Sequence, residues 1–302
     1  MVNPEMNTKT RAGFVALAGR PNVGKSTLVN AIVGRKVAIV SDKPQTTRRA
    51  IRGVVTRDDA QLVLTDLPGV QRPLDNLTER MQRRVERELS ETDVALLVLN
   101  AEQGVGPGDR WIAGALRSAP CPVVVVVNKV DRLDRPHVVA ALQAASELDV
   151  GEDIFPISAR KGTGVGPLAD HLFGLVPESP FLFDPAESSD LSPYVHLAEL
   201  VREQILRRTF KEVPHAVEVV VEEVDATRED LTVVHARAWV ETESQKGILV
   251  GSGGKMIRAI GTAARKELER ELGTKVHLDL IVRVRRGWRG DEGLLDRLGF
   301  DV

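Results

Sequence analysis

Short apolar runs alternate with segments of helical length from Gly13 to Val176. The runs predict six strands, at Phe14–Ala18, Ile51–Val55, Gln61–Thr65, Val94–Asn100, Val123–Asn128 and Ile154–Ile157. The intervening segments predict helices at Lys25–Val33, Leu77–Leu89, Gly108–Arg117, Pro136–Leu148 and Gly166–Leu175. Buried strands that alternate with helices are typical of a mostly parallel sheet covered by helices. The first part of the chain is therefore predicted to be an open α/β sheet.

The pattern changes after residue 176. Residues 177–193 contain four prolines together with serines and acids but no periodicity, which predicts an exposed linker. Beyond it the order helix, strand, strand, helix, helix, strand is predicted, at Val195–Phe210, Ala216–Val224, Leu231–Glu241, Ser244–Val250, Lys255–Leu272 and Val276–Arg285. This order indicates a second, smaller α+β domain. We expect an N-terminal extension at 1–12, a first domain at 13–176, the linker at 177–193, and a second domain with a tail at 194–302.

Composition narrows the class of protein. A chain of 302 residues has room for about two domains, and 42% hydrophobic residues are enough to form their cores. The formal net charge of −2 means that contact with a nucleic acid would need a local basic surface. The single cysteine, Cys121, excludes an internal disulfide and fits a reducing compartment. The polar N-terminus and the lack of a long apolar run predict a cytoplasmic protein without a transmembrane segment.

A phosphate-binding motif of the form GxxxxGKS follows the first predicted strand and opens the first predicted helix. Its glycines allow backbone N–H groups to wrap around phosphate oxygens at a helix N-terminus. Lys25 is expected to contact the β- and γ-phosphates and to act in catalysis, while the Ser26 hydroxyl is expected to bind Mg²⁺. The alternative is a glycine-rich turn that binds nothing. The predicted nucleotide contacts here are Gly19, Arg20, Pro21, Asn22, Val23, Gly24, Lys25, Ser26 and Thr27.

Two further segments concern the choice of base. A carboxylate at Asp131, after the all-valine run, can accept from both N1–H and the 2-amino group of guanine, which adenine does not offer. A backbone N–H after the next strand can reach the guanine O6. A polar turn between strand and helix is the alternative, but it is a poor explanation beside the phosphate motif. The predicted guanine contacts are Asn128, Lys129, Val130, Asp131, Ser158, Ala159 and Arg160.

The segment DLPG at another strand end suits a nucleotide-dependent switch. Asp66 is expected to contact Mg²⁺ through water, and the Gly69 N–H is expected to contact the γ-phosphate. A threonine from the upstream loop should complete the Mg²⁺ shell, and we favour Thr47 over Thr46. The predicted metal ligands are thus Ser26, Thr47 and Asp66, with Thr47 and Gly69 also assigned to catalysis. The predicted contacts of the segment are Asp66, Leu67, Pro68, Gly69 and Val70.

The second domain contains a glycine loop, Gly251-Ser252-Gly253-Gly254, between two predicted helices. Such a GxxG loop resembles that of a type II KH domain, which clamps single-stranded RNA backbone beside an apolar groove. Ser252 and Gly253 carry no charge, so neighbouring cations would have to contact the phosphates. The predicted RNA contacts are Ile248, Val250, Gly251, Ser252, Gly253, Gly254, Lys255, Arg258 and Arg285.

Basic residues also gather around Trp288 near the end of the chain. A mixture of arginines and an aromatic ring is suited to stacking and phosphate contact with RNA. A solvated, charged strand end is the competing interpretation. The arginines concerned are Arg283, Arg285, Arg286 and Arg289.

Together the motifs resemble those of the Era family, over essentially the whole chain. The resemblance implies a P-loop G domain followed by a type II KH domain, with GTP or GDP and Mg²⁺ as ligands. Val70 stands where signalling GTPases have a glutamine that orients the attacking water, which implies slow intrinsic hydrolysis. We hypothesise that Asn22 helps to bind a monovalent cation, K⁺, that supplies positive charge during hydrolysis.

The resemblance further implies binding to the 3′ region of small-subunit ribosomal RNA and a role in assembly of the 30S-type subunit. It also implies peripheral contact with the inner face of the cell membrane, for which this sequence contains no clear signal. Two other functions remain open at this stage. One is a nucleotide-sensing RNA-binding protein with vestigial hydrolysis, which Val70 favours. The other is a GTPase of transfer RNA modification, which the missing neighbouring domains disfavour.

Overall fold

The computed structural model describes residues 10–43, 45–69, 75–228 and 230–300. The strands are β1 (Arg11–Ala18), β2 (Ile51–Arg57), β3 (Ala60–Asp66), β4 (Val94–Asn100), β5 (Val123–Asn128), β6 (Ile154–Ile157), β7 (Glu218–Arg228), β8 (Leu231–Val240) and β9 (Lys275–Val284). The helices are α1 (Lys25–Val33), α2 (Asn76–Ser90), α3 (Pro107–Leu116), α4 (Arg135–Ser146), α5 (Val165–Leu175), α6 (Pro193–Arg208), α7 (Val213–Ala216), α8 (Glu243–Val250), α9 (Lys255–Leu272) and α10 (Glu292–Arg297).

The first sheet has the order β2-β3-β1-β4-β5-β6, and every pair in it is parallel except β2 with β3. Its two faces carry separate apolar cores. One core includes Leu28 of α1 and Leu172 of α5, and the other includes Ile112 of α3 and Ala145 of α4. Helices on both faces explain why β4 and β5 are apolar throughout rather than alternating. The carboxyl ends of the parallel strands therefore form one edge, where an open α/β sheet binds its ligands.

The second sheet has the order β7-β8-β9, antiparallel in the first pair and parallel in the second. Helices α6 and α9 cover it through one apolar core that includes Leu206, Ile260 and Ala264. Burial alternates along β8, as expected for a strand with one face against a core. The predicted fold class, a mostly parallel α/β sheet followed by an α+β domain, is confirmed. Among the described residues no helix is long and apolar enough to cross a bilayer.

The segment between the two domains lies along the edge of the first sheet. The Val54 N–H donates to the carbonyl of Ser188, and the buried Gln61 side chain receives hydrogen bonds from the N–H groups of Leu182 and Phe183. These contacts fix the path of a segment that the sequence identified only by its composition. The domain boundaries remain predictions, since strand pairing alone does not define them.

The C-terminal segment contains two features that the sequence did not reveal. Helix α10 packs Leu294 and Leu295 against Leu77 and Met81 of α2, in one cluster with Trp288. The interpretation of Trp288 as a stacking surface is wrong, because its ring is fully buried and its Nε1–H donates to the Ala216 carbonyl at 2.9 Å. The apolar contact with α2, more than 200 residues away along the chain, removes the ring from solvent.

Candidate functional site

The loop between β1 and α1 has the geometry that close approach to a ligand requires. Gly24 caps α1 in the left-handed region, with a φ of 104°. A Cβ at this position would lie 2.3 Å from Nδ2 of Asn128, so only glycine fits. The backbone N–H groups at the start of α1 consequently remain open to an anion at the helix N-terminus.

Lys25 extends back across this loop. Its Nζ donates to the carbonyls of Gly19 at 3.0 Å and Arg20 at 3.2 Å. Burial lowers the pKa of Lys25 to about 8, although the Asp66 carboxylate acts in the opposite direction. A polyphosphate beside Nζ would favour the charged form of Lys25. The loop therefore holds this cation at the place where a phosphate would stabilise its charge.

Three oxygen donors converge beside Lys25. Asp66 Oδ2 accepts hydrogen bonds from Ser26 Oγ at 2.6 Å and from Thr47 Oγ1 at 3.0 Å, and the two hydroxyls are 3.0 Å apart. Burial raises the pKa of Asp66, opposed by Lys25 and by both hydroxyls. Its Oδ1 is buried without a partner among the described residues. One carboxylate and two hydroxyls are hard oxygen ligands of the kind Mg²⁺ takes, so these residues fit that ion.

The geometry distinguishes the two adjacent threonines. Thr46 turns its hydroxyl away from this cluster, donating to the Lys43 carbonyl and pairing with Ser41 Oγ, both at 2.7 Å. Thr47 alone of the two reaches Ser26 and Asp66. The described residues contain no group of three or more His, Cys, Asp or Glu side chains able to hold a metal. The oxygen cluster of Ser26, Thr47 and Asp66, with a single carboxylate, is the candidate site for a magnesium ion.

Asn128 at the end of β5 joins the three nucleotide segments. Its Nδ2 donates to the Val23 carbonyl at 2.9 Å, while its Oδ1 accepts from the N–H groups of Lys129 and Ala159. Asp131 follows on the next turn, where a hydrogen bond involving Ser158 is the main cause that lowers its pKa. An ionised Asp131 is an acceptor-only group, as pairing with two guanine N–H donors requires.

Gly69 lies against the phosphate loop. A Cβ there would meet the backbone of Pro21 at 2.9 Å, so this DLPG glycine also allows a close approach of two backbones. Val70 and Pro44 lie outside the described residues. The structural basis for the expected slow hydrolysis therefore stays a prediction from the sequence.

These elements enclose a cavity of about 680 Å³. Most predicted residues line it, but others support it from behind. Arg20 pairs with Asp109 at 2.8 Å, Leu67 is fully buried in the core, and Val23 and Ser158 are also buried. Several residues that line the cavity were not predicted from the sequence: Val40, Ser41, Asp42, Lys43, Gln45, Asn100, Glu102, Gln103, Arg132 and Arg207. Asn100 could have been found, since it ends β4 as Asn128 ends β5.

The residues directly after Thr47 enter the second domain. Arg48 is fully buried and donates to the carbonyls of Val217, Pro214 and His215 and to Glu218 Oε2 at 2.8 Å. Arg49 donates at 2.9 Å to each of Glu199, Glu218 and the Leu298 carbonyl. The loop that carries the candidate magnesium ligand is thus attached to the second domain at the very next residue.

Helix α2, which follows the DLPG segment, makes a second attachment. Besides the apolar contact with α10, Arg80 pairs with Glu292 and Asp296, and Asp75 pairs with Arg289 at 3.0 Å. Both segments that flank the nucleotide site therefore contact the same part of the second domain.

The GxxG loop connects α8 and α9, as predicted. Gly251, Gly253 and Gly254 all have positive φ values, of 69°, 58° and 74°, and Ser252 and Gly253 are exposed. Beside it, Ile248 of α8 remains 42% exposed. An exposed apolar side chain next to a GxxG loop is suited to contact with bases.

Some of the basic residues predicted to contact RNA are exposed, and others form ion pairs within the protein. Lys255 and Arg258 are exposed, whereas Arg285 pairs with Asp291 at 3.2 Å and lies over the Trp239 ring. Arg289 pairs with Asp75 and Glu241. Two of the four arginines around Trp288 therefore pair with acids of the protein itself, and Arg285 would have to exchange Asp291 for a phosphate.

Comparison with known proteins gives the family. Residues 14–129 match the family described as 50S ribosome-binding GTPase, and residues 212–289 match the KH domain. GTPase Era of Mycobacterium sp. (strain KMS) is 47% identical over 296 residues, covering 96% of this chain and 99% of the relative. This chain belongs to the Era family of GTPases. GTPase Era of Mycobacterium tuberculosis (strain ATCC 25618 / H37Rv) is likewise 47% identical, over 97% of this chain and 100% of its own.

Solved structures of Era proteins agree with this membership. One contains Era with MgGDPNP and nucleotides 1506–1542 of 16S ribosomal RNA, with a TM-score of 0.92, 33% identity, and coverage of 97% and 100% of the two chains. A variant of Aquifex aeolicus Era bound to GDP and AlF4⁻ superposes with a TM-score of 0.90 at 33% identity. As an Era family member this chain is a GTPase, and its two-domain architecture, with guanine nucleotide and Mg²⁺ as ligands, is that of the family.

Proposed function

We propose that this Era family GTPase is a molecular switch whose nucleotide state controls binding of its KH domain to the 3′ region of small-subunit ribosomal RNA during subunit assembly. The observation that carries the proposal is the continuity of Thr47, Arg48 and Arg49. The first reaches Ser26 and Asp66, and the next two are bound within the second domain. A change in the position of Thr47 must therefore move, or break, contacts of the KH domain.

We propose the following roles for the predicted residues of the nucleotide site. Lys25 and the N–H groups at the start of α1 neutralise the phosphates, while Ser26, Thr47 and Asp66 would hold Mg²⁺, which supplies charge neutralisation of the phosphate oxygens. Asp131 selects guanine. Water attacks the γ-phosphate and displaces GDP, and the Gly69 N–H donates to the phosphate oxygens.

The RNA contacts are proposed for the surface beside the GxxG loop. The backbone of Gly251 to Gly254 approaches the phosphates without side-chain obstruction, and Lys255 and Arg258 supply the charge that Ser252 lacks. Ile248 and Val250 form the apolar surface for the bases. We propose a cytoplasmic location for this activity. Peripheral membrane contact remains a prediction from the family resemblance.

Thr47→Val is expected to abolish the preference for RNA in the GTP state. The valine keeps the shape of the side chain but removes the hydroxyl that reaches Ser26 and Asp66. We expect wild-type protein to bind an RNA oligonucleotide from the 3′ end of small-subunit ribosomal RNA at least about fivefold more tightly with a nonhydrolysable GTP analogue than with GDP. The ratio should fall close to one in the variant, measured by fluorescence anisotropy.

Thr46→Val is the matched control for this experiment. It removes an adjacent hydroxyl that bonds only Ser41 and Lys43, so the ratio of RNA affinities should stay near the wild-type value. Equal affinities of the wild-type protein in the two nucleotide states would overturn the proposed coupling. If Thr46→Val alone removed the difference in RNA affinity, the assignment of the magnesium contact to Thr47 would be wrong.

GTP turnover is expected to be faster in KCl than in NaCl, by about tenfold, because a bound cation stabilises charge that develops on the phosphates. Asn22 donates its side-chain N–H to the Asp42 carbonyl at 2.8 Å, and its amide oxygen keeps lone pairs that can coordinate a cation. Asn22→Ala should turn over GTP at equal rates in the two salts. Equal rates in the wild-type protein would contradict the K⁺ hypothesis.

A further inference from the structure

Four cations that have no acidic partner among the described residues line a groove on the second domain, and the roles proposed above use only two of them. The groove encloses about 600 Å³ between the end of α6 and the exposed face of α9. Its charged residues are Arg208, Lys255, Arg258 and Lys266. Only two of them, Lys255 and Arg258, lie near the GxxG loop in sequence. We propose that this groove is a second phosphate-binding surface, which extends the RNA path from the GxxG loop along α9 to Lys266 and Arg208.

The spacing of these residues produces one continuous stripe. At 100° per residue, Lys255, Arg258, Thr262 and Lys266 fall within an arc of about 80° on α9. Ile260, Ala264 and Leu268 occupy the opposite, buried face. The stripe is roughly 16 Å long at 1.5 Å per residue, which is about five nucleotides of a strand at 3.4 Å each.

The charge on this stripe is not neutralised within the protein. Residues 255–266 contain four cations and no acid, and within the described chain none of the four groove cations forms an ion pair. Arg208 donates only to the carbonyl and the amide oxygen of Gln204. By contrast, Arg265 pairs with Glu269 and Arg270 pairs with Glu267, on the two flanks of the stripe.

Helix stability does not account for this arrangement. Cations in the first turn of a helix oppose its dipole, and α9 begins with Lys255 and has no acid in its first turn. Unpaired cations that repel one another and oppose the dipole lower the stability of the free protein. An anionic ligand along the stripe reverses the sign of both interactions.

The shape and surroundings of the groove favour RNA over a membrane surface. Its other lining residues, Ala259, Thr262 and Ala263, are small, so a sugar–phosphate backbone can approach the helix. None of the lining residues is a large apolar side chain of the kind that inserts into lipid. The stripe also begins at Lys255, immediately after Gly254, so a strand held by the GxxG loop reaches it without a break.

This inference rests on the proposed RNA binding, and an experiment with two lengths of RNA separates the two. The probes are a pentamer that fills the GxxG surface and dodecamers that extend it at the 5′ or the 3′ end. The wild-type protein should bind one dodecamer about tenfold more tightly than the pentamer. The double variant with Arg208→Gln and Lys266→Gln should bind the pentamer normally but lose the tighter binding of the dodecamer. Its salt slope with the dodecamer should fall by about 1.4, for two phosphates at 0.7 each.

Arg265→Gln with Arg270→Gln is the control of equal charge, and it should retain the gain with the dodecamer. An equal loss in this control, or an undiminished gain in the groove variant, would overturn the second surface while leaving the proposed function intact. Failure of the wild-type protein to bind either RNA would overturn both. A groove variant that lost binding only to phosphatidylserine vesicles would identify the surface as a lipid contact and so refute the RNA path.

Discussion

Lys25→Ala is expected to lower the single-turnover rate of GTP hydrolysis by at least about 10³-fold. The ammonium group is buried, donates to the carbonyls of Gly19 and Arg20, and lies beside Asp66 at the end of the phosphate loop. Because burial excludes water from Nζ, solvent cannot replace the missing charge when negative charge develops on the phosphates. The rate would be followed with radiolabelled GTP at saturating protein.

Lys275→Ala provides the comparison for that measurement. Lys275 is an exposed residue at the start of β9, so its loss should leave the rate of hydrolysis unchanged. Nucleotide binding and thermal stability would be measured for both variants, so that a fall in rate is not confused with loss of fold. Hydrolysis by Lys25→Ala at the wild-type rate would exclude the assigned role of the lysine.

The nucleotide site was largely predictable because its residues depend on short-range constraints. Gly24 must be glycine because of its left-handed backbone at the start of α1, which the local phosphate motif already indicates, whereas its close approach to Asn128 is a contact that only the fold creates. The strands predicted at Val94–Asn100, Val123–Asn128 and Ile154–Ile157 coincide with β4, β5 and β6. Helical ends shifted by one or two residues elsewhere, because caps such as Asp75 lie outside the apolar periodicity.

Contacts between distant segments could not be predicted in the same way. Arg48 and Arg49 read as members of a polar loop, yet their partners lie about 150 to 250 residues further along the chain. Trp288 stands among arginines that suggest a surface, but α2 and the Ala216 carbonyl cover it. The sequence alone does not distinguish a cation that is available to bind a ligand from one that already forms an ion pair with a carboxylate of the protein. Arg258 and Arg289 illustrate the two cases.

Glu218 occupies the centre of the buried ion cluster between the two domains. Its carboxylate is fully buried and accepts from Arg48 at 2.8 Å and Arg49 at 2.9 Å. Burial opposes its ionisation, but Arg49, Arg48 and Arg202 together outweigh this and lower the pKa of Glu218 to about 2. Arg48 and Arg49 directly follow Thr47 in the switch loop, and Arg202 donates to the Thr46 carbonyl. This single acid therefore supports both the fold and the switch loop.

Glu218→Gln should therefore lower the free energy of unfolding by about 3–5 kcal/mol, because it leaves buried arginines without their counter-charge. In thermal unfolding this corresponds to a fall in Tm of roughly 10 °C. Glu222→Gln, on the same strand, breaks only an exposed pair with Arg237 and should change the free energy by less than about 1 kcal/mol. Similar Tm values for the two variants would show that the buried cluster contributes no more than a surface pair.

The pH dependence of stability distinguishes loss of the Glu218 charge from simple loss of packing. Glu218 stays ionised in the folded protein down to about pH 2 but protonates near its ordinary pKa of 4.5 when the chain unfolds. Its contribution is therefore complete above pH 4.5 and is lost as the pH falls from there towards 2. Glu218→Gln has no such group to protonate, so the difference in stability between the two proteins should be largest at neutral pH and shrink on acidification to pH 3. A difference that stayed constant over this range would mean that the glutamine acts through shape, and that the carboxylate charge does not hold the switch loop against the KH domain.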